Sequence, residues 1–254
     1  MSFLADERNT PPARRRAPFM LLGDEVSCRV QQWSFQAETA QLVMYQQRRL
    51  PSGDDLQRWA HELAELGYTR LRTSAVTGHA ATRMESAGFT VLQELLLLEH
   101  TAPRDAVATA GSAARRRAEA TRRLLVHEHR RASMVDTAAF GQPWSLDEVA
   151  IHDVCSATPR HRARGGGDPL AAYAITGRDG RQGFLQRLAV HPDAQRRGLG
   201  AALVLDALRW SARWRVERVL VNTPTDNVAA LALYEGFGFR RLPDRLRVYE
   251  RELR

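Results

Sequence analysis

The chain has 254 residues, 44% of them hydrophobic, enough for one large domain or two small ones with real cores. It carries 37 basic residues against 29 acidic ones, a formal net charge of +8, and every basic residue is arginine. No apolar run reaches the roughly 20 residues needed to cross a bilayer, and no apolar segment precedes a cleavage site near the N-terminus. Cys28 and Cys155 stand far apart without metal-ligand spacing. A cytoplasmic protein with reduced thiols, no metal and no membrane association is therefore expected.

An all-arginine surface attracts anions and keeps its charge at any working pH. The arginine clusters at Arg14–Arg16, Arg115–Arg117 and Arg122–Arg123 lack interleaved aromatics. They read as solvated flanks, and nucleic-acid binding is not expected.

In chain order, residues 1–18 read as a disordered tail rich in Pro and Arg. Residues 19–45 favour strands, one around Cys28, Val30 and Trp33–Phe35, another at Gln41–Tyr45. Ser52-Gly53-Asp54-Asp55 reads as a helix start, and Leu56, Trp59, Ala60, Leu63 and Leu66 recur at helical spacing up to Gly67. Then follow a strand at Tyr68–Val76, a helix at His79–Ala87 and a strand at Phe89–Glu99. An Ala- and Arg-rich segment over 103–122 predicts a linker or exposed helix, with flanking units at 19–102 and 123–254. The second unit reads as a strand at Leu124–Val126, a helix at Ser133–Phe140, a turn at Phe140–Trp144 and a helix at Leu146–Val154. A flexible loop at Arg160–Asp168 follows, then antiparallel strands at Leu170–Thr176 and Gly183–Val190. A helix from Gly200 to about Arg213, a strand at Arg218–Asn222, a helix at Asn227–Tyr234 and a strand near Arg245–Glu250 complete the pattern.

An internal repeat underlies this order. Met84-Glu85-Ser86-Ala87-Gly88-Phe89 aligns with Tyr234-Glu235-Gly236-Phe237-Gly238-Phe239, and the same 150-residue offset lays Leu71–Thr73 over Val221–Thr223.

Residues 188–200 carry the sharpest chemical signal. An apolar strand, Leu188-Ala189-Val190, enters Gln195-Arg196-Arg197-Gly198-Leu199-Gly200, which opens a helix at Ala201. A glycine turn at a helix start gathers unpaired N–H groups and the positive end of the helix dipole, a setting for phosphate. With Asn227, Ala230 and Tyr234-Glu235 following in order and spacing, residues 123–254 resemble the GNAT N-acetyltransferase superfamily. The resemblance implies an α/β GNAT fold, a central mixed and largely antiparallel sheet flanked by helices, with a second, partial GNAT-like half at the N-terminus. Tandem GNAT proteins with one degenerate copy, mycothiol synthases among them, share that plan. The Phe140–Trp144 segment is similar to a loop of bacterial ribosomal-protein N-terminal acetyltransferases.

The resemblance also implies roles. Acetyl-CoA would be the acetyl donor, its pyrophosphate bound by the backbone from Gln195 to Ala201, with Arg196, Arg197 and Leu199 in the same loop. Leu188, Ala189 and Val190 would face the pantetheine and thioester. Asn227 and Ala230 would line the cofactor, and Tyr234 would be the general acid. Met84, its counterpart in the first copy, cannot donate a proton. The region Leu50–Asp55 lacks the glycine pattern, so the first copy is expected to bind no CoA. Gln186 and Asn222 stand where relatives place a catalytic carboxylate. Both are neutral, and Asn222 is left as the holder of a relaying water. Glu148, His152 and His191 are further base candidates. The acceptor implied is an amine, on a peptide or on a small molecule of aminoglycoside, polyamine or mycothiol-precursor type. A module that binds acetyl-CoA without turnover is the alternative.

Overall fold

In a computed structural model of the chain, residues 16–44, 50–109, 111–112, 116, 118 and 120–253 are described. Most of the expected N-terminal tail, Tyr45 and much of the Ala/Arg-rich run, including Arg115 and Arg117, lie outside them. No described helix is long and apolar enough to cross a membrane.

The N-terminal half comprises β1 (Phe19–Leu22), β2 (Ser27–Trp33), β3 (Gln36–Val43), α1 (Gly53–Glu65), β4 (Arg70–Thr73), β5 (Val76–Thr77), α2 (Ala81–Ser86) and β6 (Thr90–His100). After α3 (Pro103–Thr109), the C-terminal half comprises β7 (Arg122–Arg123), α4 (His129–Phe140), α5 (Glu148–Ser156), β8 (Arg160–Gly166) and β9 (Ala172–Asp179). It continues through β10 (Gln182–Val190), α6 (Leu199–Arg213), β11 (Arg218–Pro224), α7 (Val228–Gly236) and β12 (Arg240–Glu252). The fold is α/β, with helices on a mostly antiparallel sheet.

All the strands join one sheet in the order β1-β2-β3-β4-β12-β6-β11-β10-β9-β8-β7, with β5 attached to β12. The two halves trade their last strands. β6, from the first half, pairs with β11 of the second, while β12, from the second, pairs with β4 of the first. β6 and β12 themselves run antiparallel at the centre of the sheet, around Leu95↔Leu246 and Leu96↔Arg245.

The repeat is visible atom by atom. Phe89 N–H donates to the Met84 carbonyl at 3.0 Å, and Phe239 N–H to the Tyr234 carbonyl at 3.1 Å. Gly88 and Gly238, each with positive φ, donate to Glu85 and Glu235 at 3.0 and 2.9 Å. Each helix thus ends in the same left-handed glycine cap, which turns the chain into the next strand.

Two expectations fail in the second half. The Arg160–Asp168 glycine run is not a loop; residues 160–166 form β8, paired antiparallel with β9 from Arg160↔Arg178 to Gly166↔Ala172. Glycine there serves packing, since a Cβ on Gly165 would lie 2.6 Å from Leu170 Cδ1. The strand expected at Leu124–Val126 is instead the two-residue β7, because Val126–Glu128 turn as a 3₁₀ helix. Glu128 closes that turn, accepting from Leu125 N–H and pairing with Arg122.

Candidate functional site

β10 and β11 are parallel neighbours only from Gln182↔Arg218 to Phe184↔Leu220. β10 then runs on to Val190 and β11 to Pro224 without further pairing to each other, so the two strands open as a wedge. A bulge drives them apart. The β9–β10 register shifts between Leu185 and Arg187, leaving Gln186 as the extra residue. It also resets which side chains face which layer. Leu185, Leu188 and Val190 pack toward α6, while Ala189 packs with α4 and α5. Leu188, Ala189 and Val190 all lie on the open stretch of β10.

At the mouth of the wedge, Pro192–Ala194 form a 3₁₀ turn and α6 begins at Leu199. Gly198 caps the helix with φ +83°, and Arg196 has φ +61°. Glycine holds that left-handed conformation without the strain another residue would carry. The Gln195 N–H is already bonded to the Pro192 carbonyl at 3.1 Å, and its side chain reaches the Val190 carbonyl at 3.4 Å. The run of free backbone donors expected to start at Gln195 therefore starts at Arg196 and reaches Ala201. No acidic residue stands in the first turn of α6, and the side chains of Arg196 and Arg197 are exposed beside it. The donor chemistry of this terminus fits a pyrophosphate.

α7 brings the other half of the site. Asn227 caps it, its Oδ1 accepting from Ala230 N–H at 3.1 Å. Tyr234 is buried against Phe239, with ring centroids 5.7 Å apart. Its hydroxyl has no hydrogen-bond partner among the described residues. Burial pushes the phenol up to about 12, opposed by the nearby Arg187 guanidinium. Met84 takes the matching place in the first half, fully buried in the core.

Across the wedge stands a buried polar cluster that sequence reading missed. Asp136 Oδ1 accepts from Arg187 Nη2 and Leu146 N–H, both at 2.6 Å, and Oδ2 accepts from Arg187 Nε at 2.8 Å and Tyr173 Oη at 2.6 Å. Arg187 also donates to the Trp144 carbonyl at 2.9 Å and lies over the Phe140 ring. The cluster ties the Phe140–Trp144 turn to the strand just past the bulge. Its only trace in the sequence is an arginine beside the apolar Leu188-Ala189-Val190 run.

The base candidates are dispersed. Gln186 turns away from the wedge and donates to the Val154 carbonyl on α5 at 3.2 Å. His191 caps the 3₁₀ turn, its Nδ1 accepting from Asp193 N–H at 3.3 Å. Glu148 and His152 are exposed on α5, where His152 faces His129. Asn222 is exposed on the open stretch of β11.

Residues 122–239 match the model of the acetyltransferase (GNAT) family. Over that stretch, a little under half of the chain, it is similar to the GNAT family. The wedge, the α6 terminus and Tyr234 all lie within the matched residues. The GNAT fold extends further. A tandem GNAT protein from the clavulanic acid biosynthesis pathway superposes with a TM-score of 0.59 at 17% identity, over 90% of this chain and 79% of that one. A GCN5-related N-acetyltransferase from Kribbella flavida superposes with a TM-score of 0.61 at 13% identity, over 92% and 90% of the two chains. By sequence, 80 residues are 36% identical to the [ribosomal protein bS18]-alanine N-acetyltransferase of Escherichia coli strain K12, covering 32% of this chain and 54% of that protein. The chain thus spans about half the length of the curated relatives it matches.

Proposed function

We propose that the chain is an acetyl-CoA-dependent N-acetyltransferase acting on a primary amine in a ternary complex. The observation that carries this reading is the open wedge between β10 and β11, set against a helix terminus with free donors and a buried phenol. Bound acetyl-CoA supplies the acetyl group as a thioester. The backbone from Arg196 to Ala201 holds the pyrophosphate, helped by the α6 dipole and by Arg196 and Arg197. A backbone N–H of Leu188 or Ala189 polarises the thioester carbonyl from the unpaired edge of β10. Val190, Asn227 and Ala230 line the pantetheine side. Tyr234 keeps its proton at neutral pH and gives it to the sulfur as the carbon–sulfur bond breaks and the carbon–nitrogen bond forms. Asn222 holds a water that carries the amine proton to solvent, and solvent reprotonates Tyr234.

A peptide α-amine is the acceptor favoured by the partial identity to the bS18-alanine acetyltransferases. An α-amine, near pKa 8, is neutral often enough to react without a carboxylate base. Calorimetry with acetyl-CoA should give one site per chain, located in the second half, and none would end the proposal. The neutral Gln186 and Asn222 favour one second reading, a module that binds acetyl-CoA without turnover. Thiol release with alanine-first peptides separates the two.

A further inference from the structure

We propose that the acceptor amine is one flanked by an apolar side chain, which sits on a leucine shelf built jointly by the two halves. The proposal rests on the acetyl-transfer reading above and names the acceptor class of that same site.

The shelf begins beside Asn222. On the neighbouring strand Asn222 is directly opposite Leu97, and Pro224 is opposite Leu95. Opposed residues on paired strands project from one face, with Cβ atoms about 5 Å apart. An amine brought to Asn222 therefore has Leu97 as its immediate neighbour and Leu95 one step further. Leu95, Leu246 and Val248 form one apolar cluster, with Leu97 and Trp144 packed against it. Trp144 meets Trp33 edge to face at 5.7 Å, and Trp33 Nε1 donates to the Pro143 carbonyl at 2.6 Å. Arg72 lies over the Trp33 ring at 4.8 Å. Leu95, Leu97, Trp33 and Arg72 come from the N-terminal half, and Leu246, Val248 and Trp144 from the C-terminal one.

Charge points the same way. A polycationic acceptor needs unpaired carboxylates, and the glutamates on the central strands β6 and β12 already have arginine partners. Glu250 is held by Arg72 and Arg70, Glu99 by Arg218, and Glu94 by Arg247 and Arg245. A cationic first side chain on the shelf would lose water and find those glutamates already paired.

The test uses full-length protein, acetyl-CoA and hexapeptides identical after a first residue of Leu, Ala, Lys or Asp, with spermidine as the polycation. kcat/KM for the Leu-first peptide should exceed that for the Lys- and Asp-first peptides by about tenfold or more. Leu97→Asp should abolish or reverse that preference, and the milder Leu97→Ala should shrink it severalfold. Trp33→Ala should raise the KM of the Leu-first peptide while the Kd for acetyl-CoA stays put. Equal or better turnover of the Lys-first peptide or of spermidine overturns the shelf. So does acetyl-CoA binding without turnover of any acceptor in the set. Failure of acetyl-CoA to bind overturns the donor site as well, so the two readings fail by different measurements.

Discussion

The starts of α1 and α6 occupy equivalent places in the repeat and solve the same problem in opposite ways. At α1, Ser52 and Asp55 form a reciprocal capping box, and Asp55 also accepts from Asp24 N–H and pairs with Arg58. The helix terminus is filled by the chain's own carboxylate. At α6 no acidic residue stands in the first turn and a left-handed glycine leaves the donors open. The strands differ likewise. β3 and β4 pair over Thr39↔Arg70 to Leu42↔Thr73, and Ser74 extends the closure by bonding Leu42 and Met44. β10 and β11 part after three pairs. In the reading proposed above, one scaffold yields a binding site where its polar backbone is left unsatisfied, and a structural unit where the chain satisfies it internally.

Several substitutions would break or sharpen this contrast. The largest effect is expected for Tyr234→Phe, which should lower kcat by about a hundredfold or more while the Kd for acetyl-CoA changes little. Met84→Leu, at the matching place in the first half, should change neither. An unchanged rate for Tyr234→Phe would remove the asymmetry between the copies. Gly198→Val should weaken acetyl-CoA binding by about tenfold, because φ +83° carries about 1–2 kcal/mol of strain for a side chain. Asp55→Ala should instead leave acetyl-CoA affinity alone and cost about 1 kcal/mol of stability, read as a fall in Tm of about 3 °C. A second acetyl-CoA site appearing in that variant would show that the carboxylate alone had closed the first copy.

The smallest effects are in pH. Hydrogen bonds from Ser52, Arg58 and Asp24 outweigh burial and hold Asp55 below the ordinary carboxylate range. Its contribution to stability is present above the unfolded value near 3.9 and is lost as pH falls through the folded value. The Tm of the wild type should therefore drop more steeply than that of Asp55→Ala on acidification below about pH 4. On the basic side, a phenol near 12 stays protonated through the assay range. kcat/KM for a peptide should rise with pH to about 8, where the amine becomes neutral, and then level. A descending limb near pH 9 would point to a different acid.

Local chemistry was well marked in the sequence, and long-range pairing was not. The capping residues Ser52 and Asn227, the α6 loop and the Gly-Phe caps are short-range signals, and each lies where its residue types predict. The Gly165–Gly167 run was misread because glycines enter strands when a neighbour packs close, a cause that only the tertiary structure reveals. The bulge at Gln186 and the Asp136–Arg187–Tyr173 cluster were invisible for the same reason. They depend on which strand faces which helix. Trp33 gave no signal of packing on the Phe140–Trp144 turn, since its partner Pro143 is 110 residues away in the chain.

The exchange of β6 and β12 fixes the order in which the molecule can be assembled as it emerges from the ribosome. β4 lacks one neighbour until Arg240–Glu252 has been made, long after β4 itself. The first half must wait with that strand edge uncovered, whereas β11 finds β6 already made. Ordinary two-domain chains fold from the N-terminus one unit at a time. Here the earlier half is completed by the later one, so a truncation that removes only the last strand should unravel the opposite end of the protein.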